Sequence, residues 1–216
     1  MIELSDVSKH YRTRDGTRTI LDRVNLSVHA GERIGILGKN GSGKSTLIRL
    51  ISGSEFANEG SVTRSMSVSW PLAFSGGMQG SLTGLDNLRF VCRVYGISHE
   101  GIIPFVEEFS ELGAYLREPV KNYSNGMRAR LSFAISMAIE FDCFLIDEVI
   151  AVGDARFHSK CSFELFEKRR DRAMILVSHD ARVVRERCHR ACVLQNGRLL
   201  NFGSINEAFH YYDKYC

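Results

Sequence analysis

The order of apolar and polar positions along the chain predicts strands that alternate with helices. Apolar runs at 34–37, 143–146 and 173–177 contain no charged residue, as in strands that are buried on both faces of a parallel sheet. Residues 1–30 and 61–72 alternate between apolar and polar side chains instead. That alternation predicts short strands with one exposed face.

Helical periodicity supplies the other elements. A spacing of 3.6 residues predicts helices within 85–118 and over about Ile205–Tyr215. The block at 85–118 interrupts the alternation of strands and helices. We therefore predict an α/β fold with a mostly parallel sheet, an N-terminal antiparallel strand region and an inserted helical subdomain at about 85–140.

Length and composition limit the number of domains and the kinds of partner. The 216 residues suit one domain, 1–216, with a small inserted subdomain. A formal net charge of +3 is too small to favour nucleic acid as a partner. The six cysteines form no C-x-x-C pair, which predicts a reducing compartment and no thiolate metal site. No run of about 18 apolar residues and no signal-peptide pattern is present, so we expect no membrane-spanning segment.

A glycine-rich segment follows the first apolar run and matches the pattern G-x-x-x-x-G-K-[ST]. Its glycines allow backbone N–H groups to turn inward on phosphates, and the helix expected from Ser45 directs its positive end at the same anion. Lys44 supplies a mobile positive charge, and the Ser45 hydroxyl is a ligand for Mg²⁺. The segment predicts a P-loop nucleotide hydrolase core. The residues expected to bind nucleotide are Gly38, Asn40, Gly41, Ser42, Gly43, Lys44, Ser45 and Thr46.

Three ionisable side chains follow the other two buried strands. Asp147 ends a strand that we expect beside the P-loop strand, where its carboxylate can hold Mg²⁺. Glu148 comes next and can orient and deprotonate the attacking water. His179 follows the strand at 173–177, at the carboxyl edge that faces the ligand crevice, and can contact the γ-phosphate. These positions predict hydrolysis in addition to binding.

The order of four motifs resembles the nucleotide-binding subunit of an ABC transporter: the P-loop, Ser124-Asn125-Gly126, Asp147-Glu148, and His179. The resemblance covers the whole chain and implies one ABC-type domain that binds ATP with Mg²⁺. It also implies a homodimer that encloses two ATP molecules, each shared by the P-loop of one copy and by Ser124 and Gly126 of the other. Asp154 matches the loop that crosses this interface, and Tyr11 matches the aromatic residue that stacks on adenine.

Two features depart from the family pattern. The segment Tyr123-Ser124-Asn125-Gly126-Met127 replaces the usual Leu-Ser-Gly-Gly-Gln. Asparagine tolerates positive φ better than most residues, so the phosphate contacts can survive this change. The glutamine that senses γ-phosphate and Mg²⁺ is matched by Gln79, which stands later than is usual. The resemblance assigns Gln79 as a metal ligand beside Ser45 and Asp147.

Local segments are similar to the ATPase subunit of capsular polysaccharide exporters of Gram-negative bacteria; they are Ser67–Phe74, Gln79–Gly84, Tyr123–Leu131 and Asp147–Phe157. The similarity implies ATP hydrolysis coupled to export of a lipid-linked capsular polysaccharide. The implied direct partners are a second copy and a membrane permease, and periplasmic and outer-membrane proteins are implied as indirect partners. The expected location is peripheral, on the cytoplasmic face of the inner membrane.

Two alternatives stay open. An exporter ATPase for another polysaccharide, O-antigen, teichoic acid or lipid would share the chemistry and differ only in its partner. A soluble ABC-type ATPase outside transport usually carries coiled-coil insertions or tandem ATPase domains, and this sequence shows neither.

Overall fold

The structure, a computed structural model, describes residues 1–14, 16–72, 78–147 and 154–216. The chain divides into two compact units. The first consists of Met1–Pro71, Phe141–Val149 and Asp171–Cys216, and the second of Leu72–Glu140 and Ile150–Arg170. Within the described ranges, no helix is both long enough and apolar enough to cross a bilayer.

An antiparallel sheet in the first unit consists of β1 (Ile2–Thr13), β2 (Gly16–Val28) and β4 (Glu59–Arg64), in the order β2-β1-β4. The antiparallel region is confirmed, but β1 and β2 are long strands of 12 and 13 residues rather than several short ones. Their pairing shifts register between Leu4 and His10, and Asp6 has a positive φ of 47°. A bulge resets the alternation of side chains, so one long strand resembles several short ones in the sequence.

A six-stranded sheet forms the centre of the first unit, in the order β5-β6-β7-β3-β8-β9. Neighbouring strands are parallel except β8 and β9. The strands are β3 (Arg33–Leu37), β5 (Val68–Pro71), β6 (Cys143–Asp147), β7 (Ala173–Ser178), β8 (Arg190–Gln195) and β9 (Arg198–Asn201). The expectation that Asp147 ends the strand beside β3 is wrong, because β7 lies between them. Strand order depends on crossovers between distant segments, which a local pattern does not record.

The helices in the described part of the first unit are α1 (Lys44–Ser52), α6 (Ala181–Arg187) and α7 (Ile205–Tyr215). The helix α1 begins one residue before the expected start and ends at Ser52, followed by the capping residue Gly53, which has a φ of 80°. The Val184 side chain of α6 fills the space that a Cβ at Gly35 of β3 would need. The sequence pattern does not predict α6, because seven residues are too few to show a helical period.

The described part of the second unit contains α2 (Gly84–Val94), α3 (Ile103–Ser110), α4 (Asn125–Ala138) and α5 (Ala155–Ser162), which continues as a π-helix over Phe163–Glu167. Phe109 of α3 lies against Phe133 of α4 and Phe157 of α5, with ring centroids 5.9 and 5.7 Å apart. The sequence pattern does not predict α5, since only Phe157 and Cys161 of its eight residues are buried. The limits of about 85–140 for the helical subdomain stay a prediction.

Candidate nucleotide-binding site

The turn between β3 and α1 is too tight for any residue but glycine at its first position. A Cβ on Gly38 would lie 2.8 Å from the carbonyl oxygen of Leu194 and 2.5 Å from Oγ of Ser42. Gly41 and Gly43 have φ angles of 82° and 109°, in the left-handed region that favours glycine. The three glycines therefore set the path by which the loop turns into the helix.

Lys44 is held inside this loop. Its ammonium Nζ donates hydrogen bonds to the carbonyl oxygens of Gly38, at 2.7 Å, and Lys39, at 3.0 Å. Only 7% of the Lys44 residue surface is exposed, and a buried ammonium needs such partners. The buried hydroxyl Oγ of Ser42 makes no hydrogen bond within the described residues. A buried cation beside an unsatisfied hydroxyl suits an anion such as phosphate, which accepts hydrogen bonds from both.

A cavity of about 600 Å³ opens over the start of α1. Its lining brings together the P-loop residues and Asp147 at the end of β6, and it consists of Arg18, Ile20, Asn40, Gly41, Gly43, Lys44, Ser45, Thr46 and Asp147. Ser45 is exposed and Asp147 is half-buried. A hydroxyl and a carboxylate are oxygen ligands of the kind that Mg²⁺ prefers, and Mg²⁺ usually takes its other ligands from water and substrate phosphates. The donor set present therefore fits this ion.

Arg18 and Ile20 of β2 also line the cavity, and sequence analysis missed both. They line a second cavity of about 490 Å³ as well, which extends along Lys39–Ser42 to the turn after β8 and to Tyr215 and Cys216. Strand residues of this kind belong to no phosphate-binding motif. Arg18 is placed only by the folded β1–β2 ladder, in which it pairs directly opposite Tyr11, so no local motif could have found it.

Tyr11 lies on β1 with its hydroxyl directed at an acidic partner. The hydroxyl donates a hydrogen bond to Oε1 of Glu55 at 2.6 Å, and the Lys9 ammonium is 5.2 Å from the ring centroid. The described residues that line the two cavities do not include Tyr11. Its assignment to adenine stacking stays a prediction.

His179 emerges at the same edge of the sheet as Asp147. In the parallel ladders Asp147 is opposite Val177, and Leu37, which precedes Gly38, is opposite Ser178. His179 is exposed and follows directly after Ser178. Its backbone carbonyl oxygen accepts a hydrogen bond from the Tyr212 hydroxyl at 3.4 Å. The remaining candidate of this group, Glu148, lies outside the described residues.

The other candidates lie in the second unit, and all of them except Gln79 lie at helix starts. Oγ of Ser124 accepts a hydrogen bond from the backbone N–H of Met127 at 3.2 Å and caps α4. A Cβ on Gly126 would meet nothing nearer than that Oγ, at 3.9 Å, so the first turn of α4 is open on this side. Gln79 is exposed, and its backbone N–H donates to Oδ1 of Asn87 at 2.8 Å. Whether these residues meet a nucleotide stays a prediction.

Asp154 caps α5 and is oriented through both carboxylate oxygens. Oδ1 accepts a hydrogen bond from the backbone N–H of Phe157 at 2.9 Å, and Oδ2 lies 3.0 Å from Nη2 of Arg130. The Phe157 N–H and then the charge of Arg130 hold the pKa of the Asp154 carboxyl below its ordinary value. The side chain is therefore an oriented anion at neutral pH.

Comparison with known proteins assigns this arrangement to a family. A model of the family described as ABC transporter matches residues 21–151, more than half of the chain. The chain belongs to the ABC transporter family. Two ATP-binding proteins are similar to this chain over 99% of its length and 99% of their own. They are the capsule polysaccharide export ATP-binding protein CtrD of Neisseria meningitidis serogroup B, 58% identical over 213 residues, and the ATP-binding protein BexA of Haemophilus influenzae, 56% identical over 214 residues.

A solved structure of this ABC family confirms the fold. It is a dimeric ATP-binding cassette in a post-hydrolysis state bound to ADP and Pi, with a TM-score of 0.80. The match covers 95% of this chain and 99% of that chain, at 21% identity. The predicted α/β cassette, with its mostly parallel sheet and antiparallel strand region, is therefore correct.

Proposed function

We propose that this chain is the ATP-hydrolysing subunit of an ABC exporter that drives capsular polysaccharide across the inner membrane. One observation carries the enzymatic part: Lys44, Ser45 and Asp147 line a single cavity at the P-loop. The cargo rests on the full-length identity of 58% to a protein named for capsule polysaccharide export. This second support concerns the whole chain, since the relatives match over 99% of it.

Binding of ATP uses the loop as it stands. The backbone N–H groups of the P-loop and the start of α1 face the phosphates, and Lys44 exchanges its bonds to loop carbonyls for phosphate oxygens. Arg18 adds a second positive charge at the mouth of the cavity. Tyr11 stacks on the adenine in this proposal.

Ser45 and Asp147 would hold Mg²⁺ with the β- and γ-phosphates, and Gln79 stays a predicted third ligand. When bound, the ion neutralises negative charge on the transferred phosphoryl group. Among the described residues, no group of three or more His, Cys, Asp or Glu side chains could bind a metal without the nucleotide. Ser45 and Asp147 supply only two oxygen ligands, which suits Mg²⁺ because this ion usually takes its other ligands from substrate phosphates and water.

Hydrolysis then requires only that the water molecule and the γ-phosphate are positioned and that the developing negative charge is stabilised. Glu148 orients a water molecule and accepts its proton, and His179 holds the γ-phosphate in line for attack. Lys44 stabilises the negative charge that develops on the phosphoryl oxygens. The water oxygen forms the new bond to phosphorus while the bond to the ADP oxygen breaks, so no covalent enzyme intermediate is involved.

The second copy completes the site in this proposal. Ser124 and Gly126 at the start of α4 meet the γ-phosphate bound by the other copy, and Asp154 crosses the same interface. Closure and reopening of the dimer move a membrane permease, which holds this subunit at the cytoplasmic face of the inner membrane. Periplasmic and outer-membrane export proteins act further along the path, and nucleic acid plays no part.

Exchange with a relative tests the proposal. The chain is expressed in Neisseria meningitidis that lacks CtrD, and capsule at the cell surface is measured with a capsule-specific antibody. We expect the wild-type chain to restore surface capsule and the Lys44→Ala variant, at the same expression level, to leave it absent. Magnesium-dependent ATPase activity in the purified chain without restored capsule would favour an exporter of O-antigen, teichoic acid or lipid instead. Absence of both would contradict the proposal.

A further inference from the structure

A chain of charged side chains joins three helices of the second unit. Nη2 of Arg130, on α4, lies 3.0 Å from Asp154, and its Nη1 lies 3.1 Å from Oε2 of Glu111, at the end of α3. The other oxygen of Glu111 lies 3.0 Å from Nζ of Lys160, on α5. Glu111 thus holds one cation from each of the two neighbouring helices.

These contacts are more constrained than an ordinary surface ion pair. The Arg130 side chain is only 18% exposed, and its guanidinium carbon lies 4.4 Å from the ring centroid of Phe157. Nζ of Lys160 also donates to the carbonyl oxygens of Glu108 and Phe109. The planar fork of an arginine has fixed donor directions, which gives its contacts with carboxylates a defined orientation. The bond of Arg130 to Asp154 therefore depends on how Glu111 holds the same guanidinium.

The backbone at Glu111 is unusual for a residue with a side chain. Its φ is 56° and its ψ 31°, the left-handed conformation in which a helix end normally carries glycine. A side chain in this region costs about 1 kcal/mol. Strain of this kind persists where the surrounding contacts over-determine it, and it often marks a functional constraint. Lys160 first, and Arg130 with it, hold the pKa of Glu111 below its ordinary value, so the group is an anion at neutral pH.

We propose that Glu111 is a positioning residue for Asp154. By binding Arg130 and Lys160 at once, it fixes the Arg130 fork, which fixes the exposed Asp154 carboxylate relative to α4 and its Ser124 cap. The N-terminal ends of α4 and α5 then form one surface of fixed geometry, which contacts the second copy. The inference rests on the proposed function, in which Ser124 and Asp154 meet a second copy around ATP.

ATP-driven dimerisation tests the role. The full chain carrying Glu148→Gln, which in the proposed function binds ATP without hydrolysing it, is titrated with Mg-ATP while its mass is followed by light scattering. Adding Glu111→Gly removes the carboxylate and its two ion pairs, but the relief of backbone strain offsets part of that loss, so we expect the unfolding temperature to change by no more than about 4 °C. We expect the ATP concentration for half-maximal dimerisation to rise about tenfold, with nucleotide affinity of the dilute monomer within about twofold.

Two further variants separate positioning from folding. Glu111→Gln keeps one hydrogen-bond acceptor and should give an intermediate shift. Glu107→Gln removes an exposed carboxylate of α3, which lies 3.9 Å from Arg117, and should change nothing. Dimerisation that is unchanged by Glu111→Gly would overturn the inference. Dimerisation that weakens only to the extent that the unfolding temperature falls would overturn it as well. If the Glu148→Gln chain itself stays monomeric with Mg-ATP, the proposed dimer fails and the inference with it.

Discussion

The ammonium Nζ of Lys44 donates a hydrogen bond to the carbonyl oxygen of Gly38 at 2.7 Å, so the P-loop holds its own lysine in place. The loop is thereby kept in a closed path around the position that an anion would take. Phosphate oxygens, which share a negative charge, accept stronger hydrogen bonds from an ammonium than carbonyl oxygens do. In the proposed function, nucleotide binding therefore redirects a preorganised side chain and does not have to build the site.

Lys44→Ala should abolish measurable ATP hydrolysis and weaken ATP binding by at least about tenfold, because the phosphates lose their buried cation. Lys39→Ala is the matched control, since it removes the same charge from an exposed position in the same loop. Calorimetric titration with Mg-ATP measures both variants. If both variants lose the same ATP affinity, the total positive charge of the loop determines affinity and the position of Lys44 does not.

Asp147→Asn should leave ATP binding without Mg²⁺ intact and lower the rate of Mg-dependent hydrolysis about a hundredfold or more, since the amide is a poor ligand for this ion. Asp142→Asn serves as the control at the opposite end of β6. Asp142 accepts hydrogen bonds from the backbone N–H and hydroxyl of Ser67, both at 2.8 Å, so its loss affects stability by about 1 kcal/mol. If the steady-state rate of ATP hydrolysis for Asp147→Asn equals that for Asp142→Asn, Asp147 is not a functional residue of the site.

Gly126→Ala separates folding from function at the start of α4. A Cβ there has no neighbour closer than 3.9 Å, and alanine is favoured over glycine in a helix by about 0.5–1 kcal/mol. We therefore expect unchanged or greater thermal stability together with impaired ATP hydrolysis, because a nucleotide bound by the second copy would meet the added methyl group. Full activity in a stable Gly126→Ala chain would argue against a nucleotide at this helix.

Gly38→Ala is the variant to compare with Gly126→Ala, and it should impair both thermal stability and ATP hydrolysis. The Cβ would collide with the carbonyl oxygen of Leu194 at 2.8 Å, so the loop has to move before the chain can fold around it. Denaturation curves and hydrolysis rates of the two variants, measured side by side, should show this contrast.

Glu164→Gln should destabilise the second unit in a way that depends on pH. Oε1 of Glu164 lies 2.8 Å from Nη1 of Arg169, and each side chain is only 8% exposed. Burial works to raise the pKa of Glu164, but Lys168 and Arg169 outweigh it and hold the pKa below its ordinary value. A lowered pKa in the folded state gives stability that is present above the unfolded value, 4.5, and is lost as pH falls through the folded value.

We expect Glu164→Gln to cost about 3 kcal/mol in the free energy of unfolding at pH 7, because Arg169 stays buried with its partner neutralised. The difference from wild type should shrink below pH 4.5. Glu140→Gln, which removes the 60% exposed partner of Arg169, should cost less than about 1 kcal/mol. Urea denaturation at neutral and acidic pH measures each case, and a difference for Glu164→Gln that is independent of pH would contradict the assignment.

The sequence predicts the local parts of this site better than their arrangement. The glycines, Lys44 and Ser45 are adjacent in the chain, so their spacing alone specifies the loop. Asp147 reaches the same cavity from a strand that is separated from β3 by β7, an order that arises from crossovers and is not encoded locally. Arg18 lines the cavity through the long β1–β2 ladder, whose bulges conceal its length in the sequence.

The contacts of Glu111 show a second limit. Nothing in the sequence distinguishes this glutamate from its neighbours on α3. Its left-handed backbone and its two cationic partners depend on where α4 and α5 lie in space. Tertiary contacts of this kind can override the local preference for glycine, and they leave no pattern in the local sequence.

The most direct test of the account is the distribution of capsular polymer in cells whose own copy of this gene carries Lys44→Ala or Glu148→Gln. Polymer at the surface and polymer inside the cell are quantified separately, with expression of each variant matched to wild type. We expect surface polymer to disappear and polymer to accumulate in the cytoplasm for both variants. Wild-type surface polymer in cells whose variant has lost its ATPase activity would contradict the claim that this subunit powers capsule export.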